Sequence, residues 1–83
     1  MKQNSARSGK RGMQAGTQTN NTLSKREVEI ISWIAAGKSD WEISQILGIS
    51  PKTVNYHVEK VKRKYAVSTR VQAIVAVLKD GLI

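Results

Sequence analysis

Residues 39–65 read SDWEISQILGISPKTVNYHVEKVKRKY, and the helix start and stop signals in this stretch predict two helices joined by a very short turn. The segment SDWE at 39–42 fits a capping box, in which a serine and a glutamate satisfy the free amides at a helix start. Gly48 is typical of a helix end, and Ser50 before Pro51 marks the next start, because proline at the first helical position loses no hydrogen bond. The two predicted helices cover about 40–47 and 51–65.

The same signals continue on both sides of this stretch. The segment SKRE at 24–27 is a second capping box, and Gly37 follows it as a stop. Ser68 is the candidate cap of a last helix that Gly81 closes, although the apolar run VQAIVAVL within it also fits a buried strand. The outer predicted helices cover about 25–36 and 69–80.

Apolar side chains recur at helical spacing in three of these segments, which predicts one buried stripe on each. We therefore predict an all-α fold, a four-helix bundle that contains a helix-turn-helix. A plain corner between two packed helices is the alternative explanation of the short turn. The expected stripes are Val28, Ile31, Ile34 and Ala35; Ile43, Ile46 and Leu47; and Val54, Val58, Val61 and Tyr65.

Residues 1–21 differ in composition from residues 22–83, which form the predicted domain. They include three of the six glycines and lack acids, aromatics, Val, Ile and Leu. Such a segment buries too little apolar surface to offset the entropy of ordering, so we expect a flexible basic tail. It is either a tag or linker remnant or a genuine basic arm.

Composition excludes several classes of protein. The chain has no cysteine, so neither a disulfide framework nor a thiolate zinc site is expected, and we expect no cofactor. Its longest apolar run, residues 73–78, is far shorter than the roughly 20 residues of a membrane span. We expect a soluble cytoplasmic protein with no membrane partner. Its net charge of +8 predicts a polyanionic partner.

The basic charge of the predicted domain is concentrated on the third helix. Residues 51–65 carry five basic side chains and a single acid, Glu59, for a net charge of +4. The rest of residues 22–83 carries five basic and five acidic side chains and is neutral. A fifteen-residue helix is about 22 Å long, enough to cross a DNA major groove about 12 Å wide.

The residue types on this helix suggest a division of labour between bases and phosphates. Its N-terminal half would face base edges, where Asn suits adenine and Glu accepts from cytosine. For the single histidine, a wedge between helices or a phosphate hydrogen bond is a better interpretation than catalysis. The candidates for reading bases are Thr53, Asn55, Tyr56 and Glu59. Those for binding phosphates are Lys38, Ser39, Lys52, His57, Lys60, Arg63 and Lys64.

The chain from residue 22 to 83 resembles the LuxR-type, or GerE-like, DNA-binding domain of bacterial regulators. Trp33 and Trp41 look most like the quorum-sensing branch, whose members respond to acyl-homoserine lactones. Departures from the family pattern are Ser24, Ser44 and Tyr65, where threonine, alanine and leucine or phenylalanine are usual. The matching positions are Leu23, Arg26, Glu27, Glu29, Ile30, Ile31, Ala35, Gly37, Glu42, Ile43, Leu47, Ile49, Ser50, Thr53, Val54, His57, Lys64, Val67, Arg70 and Ala73.

The resemblance implies a four-helix domain that reads DNA with its third helix and dimerises through its fourth. It implies base contacts from Asn55, Tyr56 and Glu59. The fourth helix supports dimerisation independently of the resemblance. Seven of the eight residues 71–78 are apolar, whereas a surface helix of so small a domain needs only one buried stripe, so the second apolar face needs a partner. The alternative is a single thick core with some exposed valines. The candidate dimer stripe is Val71, Val75, Leu78 and Leu82.

The leading expectation is thus a homodimeric, sequence-specific transcriptional regulator in the bacterial cytoplasm, associated with the nucleoid. RNA polymerase or a full-length LuxR-type regulator would be its protein partner. The main alternative is a truncated regulator that pairs with a full-length quorum-sensing relative and inhibits it. A nonspecific membrane or RNA binder ranks third. An enzyme ranks last, because the chain lacks a thiol and a metal-ligand cluster.

Overall fold

The computed structural model describes residues 22–83, which form four helices joined by short turns, without strands. The predicted all-α helix-turn-helix architecture is therefore confirmed, and the strand alternative for residues 71–78 is wrong. The predicted flexible tail, residues 1–21, lies outside the described residues. The helices are α1 (Lys25–Ala35), α2 (Asp40–Leu47), α3 (Pro51–Tyr65) and α4 (Arg70–Lys79).

Helix starts follow the predicted capping chemistry in α1, α2 and α3. Ser24 Oγ accepts from the N–H of Glu27, whose Oε1 accepts from the N–H of Ser24, and Ser39 with Glu42 repeats the pattern. Ser50 accepts from the N–H of Thr53. In each case a serine oxygen accepts from a free backbone amide of the first turn, which explains why the chain enters each helix at the predicted residue.

The outer bounds of α1 and α4 differ from the prediction by one residue. Helix α1 ends at Ala35 rather than 36, because Ala36 is already the C-cap. Helix α4 covers 70–79 rather than 69–80, and its cap is Thr69, not Ser68. Gln72 decides between the two hydroxyls: its N–H donates to Thr69 Oγ1, and its Oε1 accepts from the N–H of Thr69.

Helix α1 contributes side chains to both hydrophobic clusters of the core. Consecutive residues Ile30 and Ile31 point to opposite clusters, and half-buried Ile34 touches both. The core therefore holds all four helices together through α1 and α3. The first cluster consists of Ile30, Ile43, Val54 and Val58; the second consists of Ile31, Val61, Ala73 and Val77.

Two residues of the expected stripes are exposed rather than buried. Ile46 is exposed, because α2 buries Ile43 and Ser44 and packs Leu47, and Ile46 lies about 100° around the helix from the centre of that face. Ala35 is exposed at the last residue of α1. The buried hydroxyl of Ser44, which replaces the family's alanine, donates to the carbonyl of Trp41 at 2.6 Å. This departure is accommodated without an unsatisfied group.

Candidate nucleic-acid interface

The turn between α2 and α3 fixes the direction in which α3 is presented. Gly48 adopts a left-handed conformation with φ of 70°, and its N–H and that of Ile49 both donate to the carbonyl of Ser44. Ile49 packs against the first cluster, and Ser50 caps α3. Each of the three turn residues is thus held by a hydrogen bond or by packing, so the two helices form one rigid unit.

Helix α3 buries one face and leaves the opposite face free. Val54, Val58 and Val61 are fully buried. The predicted base-reading residues fall on the other side: Asn55 and Tyr56 are exposed, and Thr53 and Glu59 are half-buried. Their arrangement along the outer face suits insertion into a major groove. Exposed Lys52 and Arg63 lie near the two ends of the same helix.

The two half-buried base-reading candidates, Thr53 and Glu59, have polar partners on α3 or at its N-cap. Thr53 Oγ1 lies 2.9 Å from Ser50 Oγ, so its hydroxyl takes part in the cap of α3. Glu59 is ion-paired with Lys62 at 2.9 Å. That pair reduces the negative charge which Glu59 would otherwise present to a phosphate backbone.

Tyr56, His57 and Lys60 form a second polar group on α3. The Lys60 ammonium lies 5.4 Å from the centroid of the Tyr56 ring and 3.5 Å from the Glu27 carboxylate. The Tyr56 and His57 rings meet edge to face, with centroids 5.5 Å apart. His57 Nδ1 is buried and has no hydrogen-bond partner among residues 22–83, so packing alone positions that side of the ring.

Lys64 faces the interior more than the outer surface. Its ammonium lies 2.7 Å from Glu27 Oε1 and 3.1 Å from the carbonyl oxygen of Thr22. Burial alone would raise the pKa of Glu27, but hydrogen bonds from Lys64 and the Ser24 N–H, with the charges of Lys64 and Lys60, lower it overall. Lys64 therefore joins α3 to the start of α1, and its role in binding phosphate stays a prediction.

The phosphate candidates at the start of α2 differ in availability. Lys38 is exposed and has no ion-pair partner within the described part of the chain. The N–H of Ser39 is occupied by the Glu42 carboxylate at 2.8 Å. That bond, followed by the Ser39 hydroxyl, lowers the pKa of Glu42, so its charge persists beside any phosphate bound there.

A three-residue network joins the N-terminal ends of α2 and α4 to α3. Arg70 donates to both carboxylate oxygens of Asp40, at 2.6 and 2.7 Å, and its Nη2 also donates to Asn55 Oδ1 at 3.2 Å. Those bonds from Arg70 hold the pKa of Asp40 below its ordinary value, against the opposing effect of burial. In the sequence, Arg70 stands out only as a position that matches the family pattern. No local periodicity could link residues 30 and 15 positions apart.

Helix α4 exposes the predicted dimer stripe. The exposed fractions of Val71, Val75, Leu78 and Leu82 are 69%, 42%, 52% and 42%. An open apolar groove of about 340 Å³ runs beside the stripe, lined by Val67, Val71, Gln72, Val75, Ala76 and Lys79. Ala73 and Val77 are fully buried, so α4 has one buried apolar side and one exposed apolar side.

A family model for bacterial regulatory proteins of the luxR family matches residues 21–77. This chain belongs to the luxR family. Among solved structures, a luxR-type neighbour described as transcription factor GerE has a TM-score of 0.72 and 37% sequence identity, covering 78% of this chain and 94% of that chain. The resemblance predicted from the sequence is confirmed.

Two curated relatives that are similar to this chain are transcriptional regulators. The transcriptional activator protein SolR of Ralstonia solanacearum is 46% identical over 66 residues, covering 80% of this chain and 28% of that protein. The quorum sensing-dependent transcriptional regulator RpaR of Rhodopseudomonas palustris is 44% identical over 63 residues, covering 76% of this chain and 26% of that protein. The matched region thus spans little more than a quarter of either relative. Both relatives are regulators, in agreement with the expectation that this chain is not an enzyme.

Two further properties concern residues 22–83 alone. None of the four helices has the length and hydropathy needed to cross a membrane. In the same residues, no group of three or more His, Asp and Glu side chains is placed to hold a metal ion.

Proposed function

We propose that this luxR-family domain binds double-stranded DNA sequence-specifically and regulates transcription as a homodimer on a pseudo-palindromic operator. The observation that carries the proposal is the outer face of α3. There, exposed polar side chains occupy the N-terminal half, and basic side chains extend along the helix, on a rigid helix-turn-helix. No other helix among residues 22–83 combines these features.

In this proposal the N-terminal half of α3 enters the major groove and Asn55, Tyr56 and Glu59 contact base edges, with Thr53 at the groove edge. Phosphates on either side are bound by basic residues near the ends of the helix. Lys52, Arg63 and Lys38 have free ammonium or guanidinium groups for this role. Lys60, His57, Ser39 and Lys64 would make secondary contacts, since each already packs or bonds within the domain.

Helix α4 supports the homodimer. A stripe from Val71 to Leu82 is apolar, exposed and continuous with an open groove, and burying it against a second copy removes that surface from water. A two-fold axis through α4 would place the two α3 helices against half-sites about one helical turn, or about 10 bp, apart. The cell compartment in this proposal is the bacterial cytoplasm, with the nucleoid as the binding surface and RNA polymerase as the protein partner.

A second candidate function rests on the same α4 surface. The domain would pair through α4 with a full-length luxR-type regulator and block its dimerisation. Its distinguishing result is a mixed dimer in native mass spectrometry, from a chain that alone selects no operator. An operator selected by the homodimer instead favours the first function.

The test of the DNA-binding function is selection from a randomised duplex pool over a series of salt concentrations. We expect an enriched inverted repeat whose binding weakens steeply with salt, because phosphate contacts release condensed counterions. Equal retention of every duplex, of RNA and of anionic vesicles would contradict sequence-specific regulation and favour a nonspecific polyanion binder.

Two variants separate backbone contacts from base contacts. Arg63→Ala should weaken binding to all sequences alike and reduce the salt slope by about 1. Asn55→Ala should instead relax the preference at one base position and cost about 1–3 kcal/mol on the selected operator. Arg26→Ala is the matched control, because it removes the same charge from the exposed side of α1. An unchanged base preference in Asn55→Ala would show that Asn55 does not read the operator.

A further inference from the structure

Arg70 is the first residue of α4, and it brings α2 and α3 together at the base-reading end of the domain. Its guanidinium donates two hydrogen bonds to the Asp40 carboxylate, from Nη1 to Oδ1 at 2.6 Å and from Nη2 to Oδ2 at 2.7 Å. Both side chains are half-buried, with exposed fractions of 35% for Arg70 and 29% for Asp40. A two-bond grip of this kind fixes the plane of the guanidinium as well as its position.

Helix α3 adds a second attraction for this guanidinium. The Glu59 carboxylate, one turn after Asn55, raises the pKa of Arg70 along with the larger effect of Asp40. Glu59 is itself ion-paired with Lys62, so it attracts the guanidinium without replacing Asp40 as its partner. Arg70 is therefore anchored before any DNA arrives, and its free donor direction is set by the fold.

That donor direction decides which end of the Asn55 amide faces the groove. Arg70 Nη2 donates to Asn55 Oδ1 at 3.2 Å. A guanidinium has only donors, so the oxygen and not the nitrogen of Asn55 must face it. The orientation of an asparagine amide, ordinarily ambiguous, is settled here by the chemistry of its partner. The Nδ2 group, with two N–H donors, is left to face outward.

The two purines present different edges to such a donor. Adenine shows the N7 acceptor beside the N6 amino donor, so a bidentate contact needs both the oxygen and the nitrogen of an asparagine. Guanine shows two acceptors, N7 and O6. An outward-facing Nδ2 matches the guanine edge and opposes the adenine amino group, contrary to the adenine preference expected from residue type alone.

We propose that Arg70 is a positioning residue for base recognition, and that through it Asn55 selects guanine rather than adenine in the operator. This inference rests on the proposed DNA-binding function. It makes Asp40, Arg70 and Asn55 one specificity unit, in which only Asn55 touches a base.

The test compares the base preferences of four proteins selected on the same randomised duplex pool. Wild type gives the operator, and Asn55→Ala identifies the position that Asn55 reads, as the one whose preference is lost. Arg70→Met keeps the side-chain length without donors. The double variant Asp40→Asn, Arg70→Met also removes the carboxylate that Arg70→Met alone would leave unpaired, so it is less prone to misfold. Thermal unfolding followed by circular dichroism shows whether each variant is folded.

We expect guanine at the Asn55 position in wild type. In both Arg70 variants the guanine-to-adenine ratio at that position should fall by about tenfold, the scale of one bidentate base contact, while other positions keep their preferences. A role of Arg70 in folding alone would lower stability without changing one base preference.

Four results would overturn the inference. Adenine at the Asn55 position in wild type is sufficient by itself, even if neither Arg70 variant folds. An unchanged guanine-to-adenine ratio in folded Arg70 variants would do the same, and so would an Asn55→Ala protein that keeps its preference at every base position. Arg70 variants that bind all sequences equally more weakly would also overturn it, because Arg70 would then be a contact to the DNA backbone. These results leave the DNA-binding function standing. A wild-type pool without any enriched motif removes that function and the inference together.

Discussion

Glu27 is a fully buried carboxylate that joins the start of α1 to α3. It closes the capping box of α1 and lies 2.7 Å from the Lys64 ammonium and 3.5 Å from that of Lys60. One of its oxygens, Oε2, accepts no hydrogen bond within residues 22–83, so the attraction to Lys60 is what compensates the burial of that atom. Two of the basic residues of α3 are thereby held in place by one acid from α1.

Replacing Glu27 by glutamine should remove the charge while keeping an oxygen for the Ser24 N–H. We expect the free energy of unfolding at neutral pH to fall by about 1–3 kcal/mol, since Lys64 and Lys60 lose their charged partner. Because folding lowers the pKa of Glu27, its stabilising contribution is complete above the ordinary value of 4.5 and is lost as the pH falls through the folded value.

Urea unfolding at a series of pH values measures this difference. The stability gap between wild type and Glu27→Gln should be constant above pH 6 and should shrink on acidification. A gap that is the same at acidic and neutral pH would mean that the Glu27 charge contributes nothing. Glu29→Gln is the control, because that carboxylate is exposed on the outer side of α1.

At the scale of the helices, the ends of α2 and α3 offer a matched pair. Each of these two helices ends in a C-cap residue with the left-handed conformation, Gly48 with φ of 70° after α2 and Ala66 with φ of 56° after α3. Alanine is strained in that region, whereas glycine is not. No neighbouring atom lies within 4 Å of the position that a Cβ would take at Gly48, so backbone conformation alone decides the effect of a substitution there.

Ala66→Gly should therefore stabilise the domain by about 0.5–1 kcal/mol, the relieved strain less the added entropy of the unfolded chain. Gly48→Ala should destabilise it by a similar amount. Thermal unfolding of the two variants beside wild type measures both. Shifts of the same sign in the two variants would show that strain at the helix ends does not control stability.

Capping chemistry made the helices predictable from the sequence, and its local ambiguities explain the errors. A serine three residues before a glutamate defines the starts of α1 and α2 without any tertiary information. At α4 two neighbouring hydroxyls compete, and only the position of Gln72 shows that Thr69 is the cap. Ile46 has the right helical spacing to share the buried face of α2. In a helix of only eight residues, however, the packing of the other helices decides which side chains at the edge of that face are covered, and Ile46 is exposed.

The candidate interface was predictable in position but not in its internal partners. Helical periodicity places Asn55, Tyr56 and Glu59 on the outer face of α3. It says nothing about contacts between helices, so the bonds from Arg70 to Asn55 and from Lys64 to Glu27 could not be foreseen. These contacts join residues 15 and 37 positions apart in the chain.

On the scale of the whole molecule, basic and apolar surfaces are carried by different helices. The basic face belongs to α3 and the exposed apolar stripe to α4, so the proposed DNA binding and the proposed dimerisation can be tested by separate substitutions. Among residues 22–83, Val71 is the most exposed large hydrophobic residue, at 69%. A charge placed there should leave the fold of one copy intact, because surface substitutions away from the core change stability little.

Val71→Glu should abolish the homodimer and weaken binding to the inverted repeat by at least about tenfold, through the loss of cooperation between half-sites. Binding to an isolated half-site should remain. Analytical ultracentrifugation and titration of the two duplexes measure these effects. Ser32→Glu, which adds the same charge on the exposed side of α1, is the control. A Val71→Glu protein that stays dimeric would place the interface elsewhere.

The two adjacent isoleucines of α1 also govern how the domain comes apart. Ile30 is locked into the packing of α2 with α3, and Ile31 into that of α4 with α3. Neither half can therefore open by itself without removing support from a helix that the other half needs. The backbone amides at the middle of α1 should exchange with solvent deuterium only through global unfolding, at a rate that reports the stability of the entire four-helix unit.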